Sequence, residues 1–302
     1  MRRGNSGAWA AALALAVSAA LGAQPLPEAL RSSIAGFSGT VSLYAKNLDT
    51  GATAGIRESE PVRTASTIKL AIMLAVYDAV ARGQARWTEP LTVTASEKVS
   101  GSGIIASEIS DGVQLPLRDV LHLMMVLSDN TATNMILGRF SADAVNACLD
   151  RIGIHSTRCL RKILGNQPKD ALGWSAAGKL PENQKYGLGV STPRDMVAIL
   201  EKLERGDAVS PEASREMIAI LKRCQDATGI RRHMGDMPVA NKTGALDALR
   251  SDVGIVYSQG GRIAMAITVD GMPKVDYAPD NVGSVLIGDL ARTLVDGLAR
   301  PH

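Results

Sequence analysis

Ser66 and Lys69 stand three residues apart in the stretch TASTIKLAIMLAVYDAV, residues 64–80. On a helix that spacing puts both side chains on one face, within reach of each other. A serine hydroxyl is a weak nucleophile until a neighbouring base takes its proton, and a lysine becomes that base when burial disfavours its charged form. The sequence offers such burial, because residues 70–77 include no charge, the pattern of a helix enclosed on every side. Backbone N–H groups at the start of that helix would stabilise a developing oxyanion. The plain alternative for an isolated S-x-x-K is a surface lysine beside a helix cap, and chance supplies such a tetrad about once in a chain of this length.

Two further triplets change the weighing. In MMVLSDNTATN, Ser128, Asp129 and Asn130 follow an apolar helix end at 121–127, although a Ser-Asp-Asn run also suits simple capping of the next helix. In VANKTGAL, Lys242, Thr243 and Gly244 sit in a strand pattern. A glycine inside a strand often marks the close approach of a ligand or of another backbone. The lysine and threonine beside it offer a charge and a hydroxyl to an anionic substrate group. No G-x-S-x-G elbow occurs, and no motif places a histidine near a candidate serine, so the Ser-Lys arrangement has no competing hydrolase motif. The histidines (His122, His155, His233, His302) form no H-E-x-x-H pair, and Cys148, Cys159 and Cys224 form no C-x-x-C. The expectation is therefore no metal and no cofactor. In an oxidising compartment Cys148 and Cys159 are the pair that could bridge; three small buried thiols are the alternative.

The elements that must position these residues divide by region. LPEALRSSIAGF reads as a helix, and TVSLYAKNLDTGATAGI as two strands around an Asp49-Thr50-Gly51 turn. Helical patterns cover 68–80, 117–128, 132–140, 142–152 and 192–203. MPVANKTGAL, SDVGIVYS and RIAMAITVDG return to strand patterns, and NVGSVLIGDLARTLVDGL closes as a helix. The fold class expected is α+β: one antiparallel sheet built from both ends of the chain and flanked by the terminal helices, with an inserted all-helical domain. The expected boundaries are a sheet domain at 24–65 and 212–302 and a helical domain at 66–211, with a cleft between them that the Ser66 helix enters.

Composition excludes several functions. The 302 residues are 46% hydrophobic and 21% charged, which suits one large or two modest globular domains. A net charge of +3 with scattered lysines and arginines gives no basic block, and 3% aromatics give no stacking platform, so no nucleic-acid partner is expected. MRRGNSGAWAAALALAVSAALGAQ has the shape of a secretory signal at 1–23: Arg2 and Arg3, an apolar core, then Ala23 for cleavage. Its apolar run is shorter than the ~20 residues of a spanning helix, and Gln24 stands where a lipoprotein would carry cysteine. The reading is a secreted or periplasmic monomer with no stable membrane insertion after cleavage.

S-x-x-K, then S-D-N about sixty residues on, then K-T-G over a hundred later, resembles the class A β-lactamases and related penicillin-binding proteins over roughly residues 25–298. The resemblance implies a β-lactamase/transpeptidase-like fold and roles for matching positions. Ser66 would be the acylated nucleophile and Lys69 its proton acceptor. Ser128 would pass a proton to the departing nitrogen, supported by Lys242. Asn130 would hold the substrate's amide side chain, and Asp129 would be structural. Thr243 and Arg250 would bind the substrate carboxylate beside Gly244, and the N–H groups of Ser66 and Ala245 would form the oxyanion hole. VSGSGII, 99–105, resembles a loop on the rim of such a cleft.

One part of the family pattern is missing. Class A enzymes carry E-x-x-L-N before a T-P-R segment, and its glutamate activates the deacylating water. Here GVSTPRDM is present, but the loop before it, GWSAAGKLPENQKYGLG, has no E-x-x-L-N. Asn134 matches the helix residue that contacts that glutamate, and Glu182 is a candidate substitute. The expected function is a slow secreted β-lactamase acting on a small-molecule β-lactam through an acyl-enzyme. The alternatives are a D-alanyl-D-alanine peptidase and a non-turnover penicillin-binding sensor.

Overall fold

A computed structural model of the chain describes residues 26–165 and 169–299. The signal segment expected at 1–23 lies outside them. In chain order, α1 (Leu26–Ile34), β1 (Thr40–Asn47) and β2 (Thr53–Ile56) come first, with Gly51 at φ +81° in the β1–β2 turn. Then come β3 (Val62–Arg63), a 3-10 turn (Ala65–Ile68), α2 (Lys69–Ala81), β4 (Pro90–Thr92), α3 (Ile105–Glu108), β5 (Gln114–Pro116) and α4 (Leu117–Val126). The middle continues through α5 (Asn130–Phe140), α6 (Ala142–Arg151), β6 (Arg158–Cys159), β7 (Gly189–Ser191), α7 (Pro193–Arg205) and α8 (Pro211–Leu221). β8 (Val239–Leu246), β9 (Leu249–Ser258), β10 (Gly261–Asp270) and α9 (Val282–Leu298) close the chain.

The main sheet has the order β2-β1-β10-β9-β8, so the first strands pair with the last ones, as the distribution of strand patterns required. Every pairing is antiparallel, with Tyr44 opposite Ala266 and Gly244 opposite Ser251. Alternation along the strands feeds two cores. Leu43, Ala45, Ile263, Met265 and Ile267 pack with Leu30 of α1 and Leu290 and Leu294 of α9. Tyr44, Ala264 and Ala266 face the other way, into a core shared with α2, α4, α6, α7 and α8. Covered on both faces, β9 and β10 are buried almost end to end, which is why their sequences read as apolar runs rather than strict alternation. α7 lies against both β1 and β10, so the helical middle and the sheet share one core.

α2 is the enclosed helix that its apolar run predicts. Every residue from Lys69 to Tyr77 is buried, on all sides of the helix. The Ser66 segment differs from expectation in one respect: Ser66 lies in the 3-10 turn, and the α-helix starts at Lys69. The Lys69 backbone N–H donates to the Ser66 carbonyl, so this tighter turn fixes the pair in register. Among the described residues no helix is long and apolar enough to cross a membrane. Cys148, Cys159 and Cys224 are all free and buried, and burial pushes the first two thiols up to about 11 and about 12.

Candidate active site

Three separate segments converge at the Ser66 turn. β8 passes directly beside it. A Cβ placed on Gly244 would lie 2.9 Å from the Thr64 carbonyl oxygen and 3.0 Å from the Ser66 nitrogen. The glycine of K-T-G is therefore needed because another backbone approaches at van der Waals contact. Ala65, just before Ser66, is held at φ +46°, a left-handed conformation costly for a residue with a Cβ. Ser66 itself is half-buried.

The second segment is the link between α4 and α5. Ser128 sits at φ +56°, also left-handed, and turns its hydroxyl toward two lysines. Lys69 Nζ donates to the Ser128 carbonyl at 2.7 Å and lies 3.2 Å from Ser128 Oγ and 3.2 Å from Asn130 Oδ1. Lys242 Nζ donates to the same Ser128 Oγ at 3.0 Å and to the Thr243 carbonyl at 2.8 Å. Both lysines have 0% solvent exposure. Two amines this close in a dry site cannot both carry a proton cheaply. Burial, followed by the charge of Lys242, holds the Lys69 amine well below the ordinary lysine value, with Asp129 pulling the other way. Burial also lowers Lys242, but Asp252 and Asp226 favour its charged form. The arrangement suits a neutral Lys69 beside a protonated Lys242. A neutral amine has a lone pair with which to accept a proton.

Asp129 explains how the segment is held. Its Oδ1 caps α5 through the Ala132 N–H at 2.8 Å, while Oδ2 accepts the N–H groups of Ile104 and Ile105 at 2.7 and 2.9 Å. Fully buried, this carboxylate ties the 99–105 loop to the catalytic link. Gly103, at φ +103°, presses against it so closely that a Cβ would collide with the carboxyl group. Asn130 completes the tie, donating its backbone N–H to the Ser102 carbonyl at 3.0 Å and its Nδ2 to the Ser100 carbonyl at 3.1 Å.

Thr243, Gly244, Ala245 and Arg250 line a cleft of about 270 Å³ beside this cluster, together with Ser102 and Asp226. Arg250 donates to the carbonyls of Leu246 at 2.7 Å, Leu249 at 2.6 Å and Asp276, and its guanidinium lies 4.8 Å from the centre of the Tyr277 ring. Backbone carbonyls fix the guanidinium but leave its formal charge in place. Behind the strand, Asn241 receives Arg231 Nε at 2.6 Å and donates to buried Asp252, whose carboxyl burial pushes up to about 7.

The structure separates the two residues proposed for water activation. Asn134 is fully buried, and its side chain clasps the backbone of Ile163: Oδ1 accepts the Ile163 N–H at 2.8 Å, and Nδ2 donates to the Ile163 carbonyl at 3.1 Å. Glu182 is exposed in a separate 3-10 turn (Pro181–Tyr186), and among the described residues the hydrogen-bonded cluster does not include it. Ile163 was not singled out by the sequence, because only the fold reveals which loop residue Asn134 holds. Asp226 was missed as well; its only sequence signal was an acidic residue in the linker before a strand.

The comparisons with known proteins agree with this fold. A β-lactamase from Sphaerobacter thermophilus superimposes with a TM-score of 0.77 at 29% identity, covering 91% of this chain and 98% of that one. PBP-A superimposes with a TM-score of 0.75 at 26% identity, over 90% and 94%. The β-lactamase regulatory protein BlaB of Streptomyces cacaoi is 23% identical across 92% of this chain and 99% of its own. A family model described as the beta-lactamase enzyme family matches residues 25–298, and the chain belongs to that family.

Proposed function

We infer that this protein is a secreted serine hydrolase that β-lactams acylate at Ser66 and that releases the acyl group slowly. The observation that carries the slow release is the clasp of Asn134 on Ile163. Asn134 matches the residue that in class A enzymes contacts the water-activating glutamate, and here it holds an isoleucine, whose side chain accepts no proton.

Acylation needs only what the cluster supplies. The neutral Lys69 amine takes the Ser66 hydroxyl proton as Oγ bonds to the lactam carbonyl carbon. The N–H groups of Ser66 and Ala245 hold the oxyanion. As it collapses, the C–N bond breaks and Ser128 gives its proton to the departing nitrogen. Ser128 recovers a proton from Lys69, which carries the one taken from Ser66, while charged Lys242 stabilises the exchange at 3.0 Å from Ser128 Oγ. Thr243 and Arg250 hold the substrate carboxylate, and Asn130 its amide. Hydrolysis of the ester then needs a water and a base, and the position held by Asn134 offers no base.

The relative named as a regulatory protein supports a second reading, a sensor that acylates once and stays occupied. A D-Ala-D-Ala peptide is the alternative acyl donor for the same chemistry. Excess chromogenic cephalosporin separates these readings. A burst of about one equivalent followed by a slow steady rate, both abolished in Ser66→Ala, is expected for slow hydrolysis. A burst with no further turnover favours the sensor. Rapid turnover from the first seconds would overturn slow release, and no burst at all would overturn acylation. The export signal is tested by N-terminal sequencing of exported protein, with Gln24 as the expected first residue.

A further inference from the structure

A carboxylate stands on the wall of the cleft where the substrate's own carboxylate is expected. Asp226 lies between α8 and the 3-10 turn Ile230–His233, exposed at the cleft mouth, and lines it together with Thr243 and Arg250. It accepts the Thr228 backbone N–H at 3.0 Å and the Thr228 hydroxyl at 2.7 Å. The Thr243 side chain lines the same cleft wall beside it. Partial desolvation raises this carboxyl's pKa, but the neighbouring threonine donors, Thr228 first, and the charge of Lys242 outweigh it and hold the group below the usual carboxylate value. Asp226 is thus an anion at neutral pH, and it lines the cleft beside the Thr243 hydroxyl that a bound carboxylate would use.

The consequence follows from charge alone. Arg250 pulls an anionic substrate group into the cleft, and Asp226 repels it. Like charges brought together in a partly dry site weaken binding, whereas an uncharged group pays no such penalty.

Resting on the reading of Ser66 as the acylated residue, we propose that Asp226 is a specificity-determining residue that offsets Arg250. The subsite then admits acyl donors whose leaving side is uncharged, such as an amidated or chain-internal residue, on nearly equal terms with donors ending in a free carboxylate.

The test compares penicillin G with its methyl ester, reading second-order acylation rates by intact mass in the unaltered protein and in Asp226→Asn. The asparagine keeps an oxygen for the Thr228 donors, and the exposed loop position leaves both cores untouched; Asp226→Ser serves as a second neutral variant. The preference for the acid over the ester is expected to be small in the unaltered protein and to rise roughly tenfold in both variants. Acylation by both compounds with a preference that changes less than twofold in both variants overturns this inference alone. No adduct from either compound on the unaltered protein overturns the Ser66 reading and this inference with it.

Discussion

Replacing Asp129 with asparagine tests how the catalytic link is held. The carboxylate takes three backbone N–H donors at 2.7–2.9 Å, one on Oδ1 and two on Oδ2, at a fully buried position. An asparagine has one acceptor oxygen. Whichever way it is turned, its NH2 faces at least one backbone donor, leaving that donor unsatisfied. An unsatisfied buried donor costs about 1–3 kcal/mol, and the surviving bonds lose their charge assistance, so the total is about 3 kcal/mol. For a domain of this size that is a fall in Tm of roughly 6–12 °C. The effect also reaches the chemistry, because the loop freed from Asp129 carries the Ser100 and Ser102 carbonyls that position Asn130. Thermal unfolding followed by circular dichroism, with penicillin acylation measured well below Tm, reads both effects. A Tm within about 2 °C of the unaltered protein, with acylation unchanged within twofold, would refute this role for Asp129.

The rate of acylation is expected to rise with pH as Lys69 loses its proton, on a limb centred well below the ordinary lysine value, because burial and then Lys242 favour the neutral amine. In Lys242→Met that limb moves to higher pH, since a repelling positive charge is gone; a limb that stays put would contradict the pairing. Gly244→Ala forces a Cβ to 2.9–3.0 Å from the Thr64 and Ser66 backbone, which is expected to cost about 1–3 kcal/mol of stability and to slow acylation more than tenfold. Unfolding in urea together with the acylation rate checks both effects. Asp252, raised from 3.8 to about 7, binds a proton in the folded state across a range where the unfolded chain has lost it. Its contribution is therefore fully present at low pH and is lost as pH rises through that window, by on the order of 1.4 kcal/mol per pH unit. Asp252→Asn is expected to flatten the dependence of unfolding free energy between about pH 4 and pH 8; parallel curves would contradict it.

What the sequence disclosed depended on whether the determining contacts were local. The enclosed α2 was legible because an unbroken apolar run has one physical outcome, and the three late strands because their patterns end in turn residues. Ser66 and Lys69 were legible because three residues on one turn fix the backbone register between them, seen in the Lys69 N–H bonded to the Ser66 carbonyl. That strands from both chain ends share one sheet followed from their lack of other partners, whereas the adjacency of β1 to β10 within it was not specified. α8 escaped attention, although Ser210 and Pro211 supply its cap and first position. The small β3-β7-β6 and β4-β5 sheets were too short to show a period. The contacts on which the proposed function rests were the least visible. Gly244 against Ser66, Asn134 on Ile163 and Asp226 with Thr243 each join segments that only tertiary packing brings together, and none of these pairs has a spacing that marks it.

The most direct measurement is the lifetime of the penicillin G adduct, followed by intact mass in the unaltered protein, in Ser66→Ala and in Ile163→Glu. The expected result is a single added penicillin that persists in the unaltered protein, none in Ser66→Ala, and faster loss of the adduct in Ile163→Glu. An unaltered protein that consumes many equivalents of penicillin without accumulating the adduct would contradict the claim that the residue held by Asn134 limits release.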